Sequence, residues 1–465
     1  MSEVKLISPR GRNIRVGDIL QYRIQSRDFN GRNRMTGGDF WYAFLTSTKN
    51  PKASTAGYIA DYGNGTYDVF LLAAWSGNAK FELILVHVSE TVYHMRNIVF
   101  STEERVFFIG HYQVETRKAD GNCSLRRQGA WTGMCEYPSY NALGSTVFLC
   151  EYQPGFPCES LVSIGTDRKR IDAKANEMMK GVEYLFKSPY YWRSVTVKYN
   201  ATLKIEGTEL LPHKLHRCEA DQPVPEIQGY WKDGKWNSLL CQFSDWTEKS
   251  SLTSCLRNKL VVIAGDSTGR QIRNELVGLL KMPNKLIDHT IWSKHAYESL
   301  NMTLYWQFHP YVIGSLNYKL ADMKTEVDTL NELNSPDCNY IVLVNQWAHF
   351  TQWTRDSYIE RVRFLRQAVI GLRERCPDVP IVIKGPHARE HKSIQALVYG
   401  SDYYLKQIEF IIQDAFEGTG AFFLPVWDLN NAYPSRNNVH MPSQAVKAEL
   451  EMFLGYVCDT LMPQE

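Results

Sequence analysis

A serine and a histidine, far apart in the chain, carry the clearest chemical possibility in this sequence. Ser267 stands in Leu260-Val261-Val262-Ile263-Ala264-Gly265-Asp266-Ser267-Thr268-Gly269-Arg270-Gln271, where an apolar, β-branched run ends in Gly-Asp-Ser and an amphipathic helical pattern starts at once. A serine there lies on a sharp strand-to-helix turn, with its hydroxyl at the carboxyl edge of a sheet. The helix amino end adds unpaired N–H groups and a positive dipole, which is what an oxyanion needs when an acyl carbonyl is attacked. Asp and Ser are also ordinary helix caps, so the tripeptide alone does not separate a nucleophile from a cap. His440 answers it. It falls in a polar loop, 430–442, between a last strand read over 421–428 and a final helix read over 443–458. A histidine in such a loop can swing over a serine at the sheet edge and act as its general base.

These two residues need a rigid frame, and the second half of the chain supplies one. From residue 259 onward strand and helix patterns alternate. Strands are predicted near 260–265, 303–308, 340–345, 381–384 and 421–428. A helix is predicted where Tyr358, Ile359, Val362, Leu365, Val369 and Leu372 form one apolar stripe. Alternation of this kind implies a parallel sheet with helices on both faces and active sites at the carboxyl ends of the strands. Ser267, Asn345 and the His440 loop all fall at such ends. Residues 1–112 instead show short β patterns with regular turn signals, including the Asn64-Gly65 hairpin turn. Residues 113–258 read as an irregular collar rich in cysteine, tryptophan and tyrosine. Its aromatic rings could stack on sugars or simply pack.

Composition excludes several classes. At 465 residues the chain is too long for one ordinary core, and 44% hydrophobic with 12% aromatic residues describes a packed globular protein. A net charge of +2 without a long basic block argues against a nucleic-acid partner. No run of about 18 apolar residues is present to span a membrane, and the amino end lacks a signal-peptide core. Ten cysteines, none in a Cys-x-x-Cys pair, read as disulfides of an oxidising compartment, with a connectivity that spacing does not give. Sequons at Asn64, Asn122, Asn200 and Asn301 point the same way. The expectation is therefore the secretory pathway, Golgi lumen or secreted, with any signal or anchor absent from this chain.

The chain resembles the neurexophilin and PC-esterase domain family over nearly its whole length. The matching pieces are Gly37-Gly38-Asp39-Phe40, the Trp and Cys collar, Gly265-Asp266-Ser267-Thr268-x-Arg270-Gln271 and Pro310-Tyr311-x-Ile313-Gly314-Ser315. Most specific is the closing Trp427-Asp428-x-x-x-Ala432-Tyr433 with Asn437-Asn438-Val439-His440. The resemblance implies an α/β catalytic domain at 259–465, a three-layer αβα SGNH-hydrolase-like parallel sheet. Before it would come an all-β immunoglobulin/filamin-like sandwich at 1–112 and the collar at 113–258. It implies acyl transfer onto glycan hydroxyls, sialic acid among them, with acetyl-CoA as donor, no bound cofactor, a glycan or glycoprotein acceptor, and a protein partner for the immunoglobulin-like domain.

Carried over residue by residue, Ser267 would be the nucleophile and His440 the base. The oxyanion would be held by the N–H of Ser267, the side chain of Asn345 and an N–H from Gly314. Arg270 and Gln271, in the first turn of the serine helix, would contact an anionic substrate or donor. SGNH enzymes usually place an aspartate three residues before the histidine. Here that residue is Asn437, followed by Asn438, and an amide orients an imidazole without stabilising its cation. Asp428 is the carboxylate expected to reach His440 instead.

Two metal-like spacings are set aside. His387-Ala388-Arg389-Glu390-His391 has the His-x-x-Glu-His form, but Gly385-Pro386 puts it across a strand-to-helix turn, not on a stable helix. His213-x-x-His216-x-Cys218 has ligand spacing, with Cys218 read as a disulfide partner. No metal is expected. Three readings remain: a glycan O-acyltransferase, an esterase using the same site, and a secreted binding protein with a decayed site. His440 within hydrogen-bond reach of Ser267, with Asp428 behind it, would favour an enzyme. A gap of more than about 6 Å would favour the binder.

Overall fold

The computed structural model describes residues 2–50, 52–186, 198–208, 210, 215–281, 291–314, 317–389, 393–434 and 439–462. These residues form a mixed α/β architecture with four sheets among them. The serine strand, Leu260–Gly265, is the centre of a six-stranded one, because its side chains are apolar on both faces and demand cover on both. Met302–Gln307 and Tyr340–Asn345 flank it in parallel, Ile381–Lys384 and Phe422–Leu424 extend the sheet in parallel, and Trp292–Tyr297 closes the other edge antiparallel.

Alternate residues of these strands feed two separate cores. Val262, Val342, Val344, Ile381 and Ile383 pack with Val362, Leu365, Val369 and Leu372 of helix Arg355–Arg375, together with Leu405, Ile408 and Ile412 of helix Asp402–Phe416. Val261, Ile263, Ile341, Leu343 and Val382 pack against Ile272, Leu276 and Leu280 of the serine helix, Ser267–Leu280. The last helix, Ser443–Leu461, completes that core with Leu450, Phe453, Leu454 and Val457. Helices thus cover both faces. From the serine strand the chain first builds the sheet to one side, through Met302–Gln307. It then crosses to Tyr340–Asn345 on the other side. The carboxyl end of the serine strand is the point where strand order reverses, the usual place for a ligand crevice in an open parallel sheet.

The amino-terminal part is two sheets face to face. A four-stranded sheet (Glu3–Ser8, Ile19–Gln25, Thr66–Leu72, Tyr58–Asp61) contributes Leu20, Tyr22, Ile24, Val69 and Leu71 to a core. Trp41, Ala43, Leu45, Phe81 and Leu83 of a seven-stranded sheet meet them. Divisions along the chain do not coincide with this packing. Lys198–Glu206 pairs with Gly77–His87, and Gly229–Lys232 with Lys235–Ser238 extends the same sheet at its other side.

Nor is the collar irregular. Phe107–Val114, Arg117–Arg126, Met134–Pro138, Val147–Glu151 and Leu161–Thr166 form an antiparallel sheet, which Tyr318–Lys319 joins from the carboxyl-terminal half. Its charged and glycine-containing strands hide their alternation, and disulfides Cys123–Cys150 and Cys135–Cys158 clamp it. The other bridges are Cys218–Cys241, Cys255–Cys458 and Cys338–Cys376, so all ten cysteines are paired. Cys255–Cys458 ties the segment before the serine strand to the last helix. Five disulfides fit a protein folded in an oxidising compartment. No helix among the described residues is long and apolar enough to cross a membrane.

Candidate active site

Gly265 makes the turn possible. It sits at φ +150°, and a Cβ there would run into both the side-chain and main-chain oxygens of Asn345 on the neighbouring strand. Asp266 follows as the helix N-cap. Its Oδ1 accepts from the Thr268 N–H at 2.8 Å, the Thr268 hydroxyl at 2.7 Å and Asn345 Nδ2 at 2.6 Å, while Oδ2 accepts from the Ala348 N–H at 3.1 Å. Burial alone would push this fully buried carboxyl upward. The His349 ring, charged only in the acid range where this carboxyl titrates, the His309 ring and the Thr268 donors outweigh that, and it lies below the usual carboxylate range. With Asp266 locked, Ser267 opens the helix on the rim, and its N–H, in the first turn, needs no intrahelical acceptor.

His440 arrives over it. Its Nε2 lies 2.7 Å from Ser267 Oγ. The loop is held by the serine helix itself, since Gln271 Nε2 donates to the Met441 carbonyl at 2.9 Å and Met441 is buried in the core beneath. The residue as a whole is exposed, yet the ring is partly desolvated. That desolvation lowers its basicity, and Arg270 and Arg389 lower it further against the opposing pull of Asp266. A neutral imidazole beside a serine hydroxyl is the form a general base requires.

Both residues open into a cavity of about 480 Å³ that also takes in Arg168, Asp172, Arg270, Trp306, Tyr318, His349, Gln352 and Arg389. Three guanidinium groups against one carboxylate make it electropositive. Arg270 stacks over the Trp306 ring at 5.4 Å, while Arg168 donates to the Gly314 carbonyl at 3.0 Å. The volume suits a small ligand with a few polar handles.

Several expected roles are corrected by these contacts. Asp428 does not stand behind His440. The last strand stops at Leu424 and Trp427–Asn431 is a short helix docked on the seven-stranded sheet. There Asp428 Oδ2 accepts from the Gln228 N–H at 2.9 Å and its own N–H donates to Gln228 Oε1 at 3.0 Å. Asp428 lines a different cleft, of about 1140 Å³, between the amino-terminal sheets and the parallel sheet. Asn345 spends its amide protons on Asp266 and on the Thr268 hydroxyl (2.9 Å), so it braces the turn and offers no donor to an oxyanion. The Gly314 N–H is taken by Thr166 Oγ1 at 3.0 Å. Gln271 is the loop tether just described and does not line the cavity, whereas Arg270 does. Asn437 and Asn438 lie outside the described residues, as do His213, Glu390 and His391. His387 is buried edge-on against Trp347, and Cys218 is in its disulfide.

Sequence reading missed Arg168, His349, Gln352 and Arg389. His349 and Arg389 follow the carboxyl ends of strands Tyr340–Asn345 and Ile381–Lys384, so the rule that singled out Ser267 would have found them too. Arg168 comes from the collar helix Arg168–Met178 and carries no such signal.

Fold and geometry thus define a serine–histidine site at the switch point of a parallel α/β sheet. Residues 236–458 match the sequence model "NXPE family member 4-like, C-terminal domain", and residues 14–159 match the "Neurexophilin" model. Both ends of the chain thus match models of the neurexophilin/NXPE type. Among solved structures, a family two carbohydrate esterase from Cellvibrio japonicus aligns at 10% identity and a TM-score of 0.21, covering 99% of this chain and 100% of its own. That similarity is too low to bear on fold or function.

Proposed function

We propose that this chain is a serine-dependent carbohydrate O-acyltransferase with an SGNH-like catalytic domain, acting through an acyl-Ser267 intermediate. The observation that carries the reading is the 2.7 Å contact between His440 Nε2 and Ser267 Oγ at the mouth of an electropositive cavity. In the first step the Ser267 oxygen attacks the acyl carbonyl and its proton passes to His440 Nε2. Collapse of the tetrahedral adduct expels the donor's leaving group, which takes that proton. In the second step His440 deprotonates an acceptor hydroxyl, which attacks the acyl-serine and regenerates the enzyme.

The cavity's charge supports an anionic ligand: the phosphates of an acyl-coenzyme A donor such as acetyl-CoA, or an acidic sugar such as sialic acid as acceptor. The exposure of His440 favours one second reading, in which water takes the acceptor's place and the protein is an esterase. The amino-terminal sandwich, of immunoglobulin/filamin type in this reading, presents the site to its glycan or glycoprotein and takes any protein partner. Acetyl transfer from acetyl-CoA to a sialylated glycan, followed by mass spectrometry, tests the proposal. A gain of one acetyl that Ser267→Ala abolishes is expected. Acetate release at the same rate with and without acceptor would move the assignment to the esterase. No turnover by disulfide-intact protein would overturn both.

A further inference from the structure

Two of the three donors expected at the oxyanion are committed elsewhere, which leaves the Ser267 N–H alone for a charge that such sites meet with more than one donor. Among the donors of the cavity wall, one neutral ring is held in place to fill the gap. His349 follows the strand Tyr340–Asn345 by four residues and lines the same cavity as Ser267 and His440. Its ring packs edge-on against Phe308 at 5.4 Å and His309 at 5.6 Å, so its plane is fixed by neighbours on two sides.

Its tautomer is fixed as well. The Ile313 N–H donates to Gln352 Oε1 at 2.7 Å, which sets the orientation of that buried amide. The opposite end of the amide, Nε2, is therefore what faces His349 Nδ1, at 3.4 Å. An amide NH2 only donates, so Nδ1 is the acceptor and the ring proton resides on Nε2. Among the described residues Nε2 has no protein acceptor. Burial and the adjacent His309 ring push the His349 imidazolium down to about 4, so the ring is neutral at physiological pH. It is a donor, not a second base.

We infer that His349, through Nε2–H held by Gln352, is the side-chain oxyanion donor of this site. The inference rests on the acyl-transfer reading above. When Ser267 Oγ bonds to the acyl carbon, the carbonyl π pair moves onto oxygen and the serine proton onto His440 Nε2. The new oxyanion then accepts from the Ser267 N–H and from His349 Nε2–H. When the carbon–oxygen double bond re-forms, the leaving group departs with the proton from His440, and His349 keeps its own throughout. A neutral imidazole suits this task, because it polarises without transferring its proton. Gln352 acts through His349 and is a positioning residue.

The test compares the full chain with Ser267→Ala, His349→Ala, His349→Gln and Gln352→Leu. Each is checked for an unchanged melting temperature and assayed for acyl turnover across pH. His349→Ala is expected to lower kcat by about 10²-fold or more, the usual loss for one oxyanion donor, with KM little changed. Its acid limb should stay where the wild-type limb lies, since His440 remains the base. His349→Gln, which keeps an N–H, should recover part of the loss, and Gln352→Leu should lose several-fold. Nitrogen-15 NMR of labelled histidine, assigned with His349→Gln, is expected to show His349 as the Nε2–H tautomer at pH 7. Full activity in His349→Ala while Ser267→Ala is dead would overturn the inference and leave the acyl-transfer reading standing. So would an Nδ1–H tautomer, an imidazolium at pH 7, or loss of the acid limb. A wild type as inert as Ser267→Ala would overturn both.

Discussion

Asp266 and Asp428 are both buried aspartates just beyond the carboxyl ends of strands in one sheet, and their chemistry is opposite. Asp266 gathers four donors from Thr268, Asn345 and Ala348 and lies below the ordinary carboxylate range. Asp428 accepts a single backbone N–H from Gln228, and burial pushes it up to about 6, with Lys406 too weak a counterweight. The difference teaches that a place at the sheet edge does not make a carboxylate part of a catalytic site. The donors around it decide. Asp266 is the carboxylate whose charge supports a protonated His440, while Asp428 fastens the parallel sheet's domain to the amino-terminal sheets.

Asp266→Asn should produce the largest effect. An amide placed there turns an NH2 toward donors that need an acceptor, leaving Asn345 Nδ2 or the Ala348 N–H unsatisfied in a buried turn. The expected outcome is a loss of about 1–3 kcal/mol for each group left unpaired, read by denaturant unfolding. Acyl turnover should fall by at least about 10²-fold as the Ser267 turn loosens. If stability and turnover stayed near wild type, the contrast would fail from its stronger side.

Asp428→Asn should act the other way. A carboxyl whose folded value, about 6, lies above its ordinary 3.8 binds its proton more tightly when folded. Its stabilising contribution is present below about pH 4 and lost as pH rises through about 6. The wild type should therefore lose up to about 3 kcal/mol over that window, at about 1.4 kcal/mol per pH unit. Asp428→Asn should lack that loss and keep full activity. A drop in activity with unchanged KM would instead tie Asp428 to His440.

The pH profile of kcat/KM sharpens the contrast at smaller scale. Desolvation and the two arginines hold His440 below the free-imidazole value of 6.5. The acid limb should therefore fall below pH 6.5, with a plateau above it. Arg270→Gln removes one repelling cation and should move the limb upward. The smallest effect belongs to Gln271→Ala, which frees the Met441 carbonyl and should cost several-fold in kcat as the His440 loop loses its tether.

Ser267 and His440 were legible in the sequence because their signals are local: an apolar run, a tight Gly-Asp-Ser turn, and a polar loop before a last helix. The parallel sheet was legible for the same reason, since strands buried on both faces read as unbroken apolar runs. Asp428 was misplaced because its partner, Gln228, precedes the first strand of the parallel sheet, and nothing near residue 428 announces it. Asn345 and Gly314 were given free donors because hydrogen-bond saturation is a property of the packed site. The collar sheet escaped notice because strands such as Arg117–Arg126 carry charge, glycine and cysteine where an ordinary strand carries β-branched residues.

The most direct test of the serine–histidine couple is covalent labelling with a fluorophosphonate, followed by peptide mass spectrometry, on wild type and His440→Ala. One adduct at Ser267, formed in the wild type and slowed by about 10³-fold or more without the imidazole, is the predicted result. An unlabelled Ser267 in folded, disulfide-intact protein, or an adduct indifferent to His440, would contradict it.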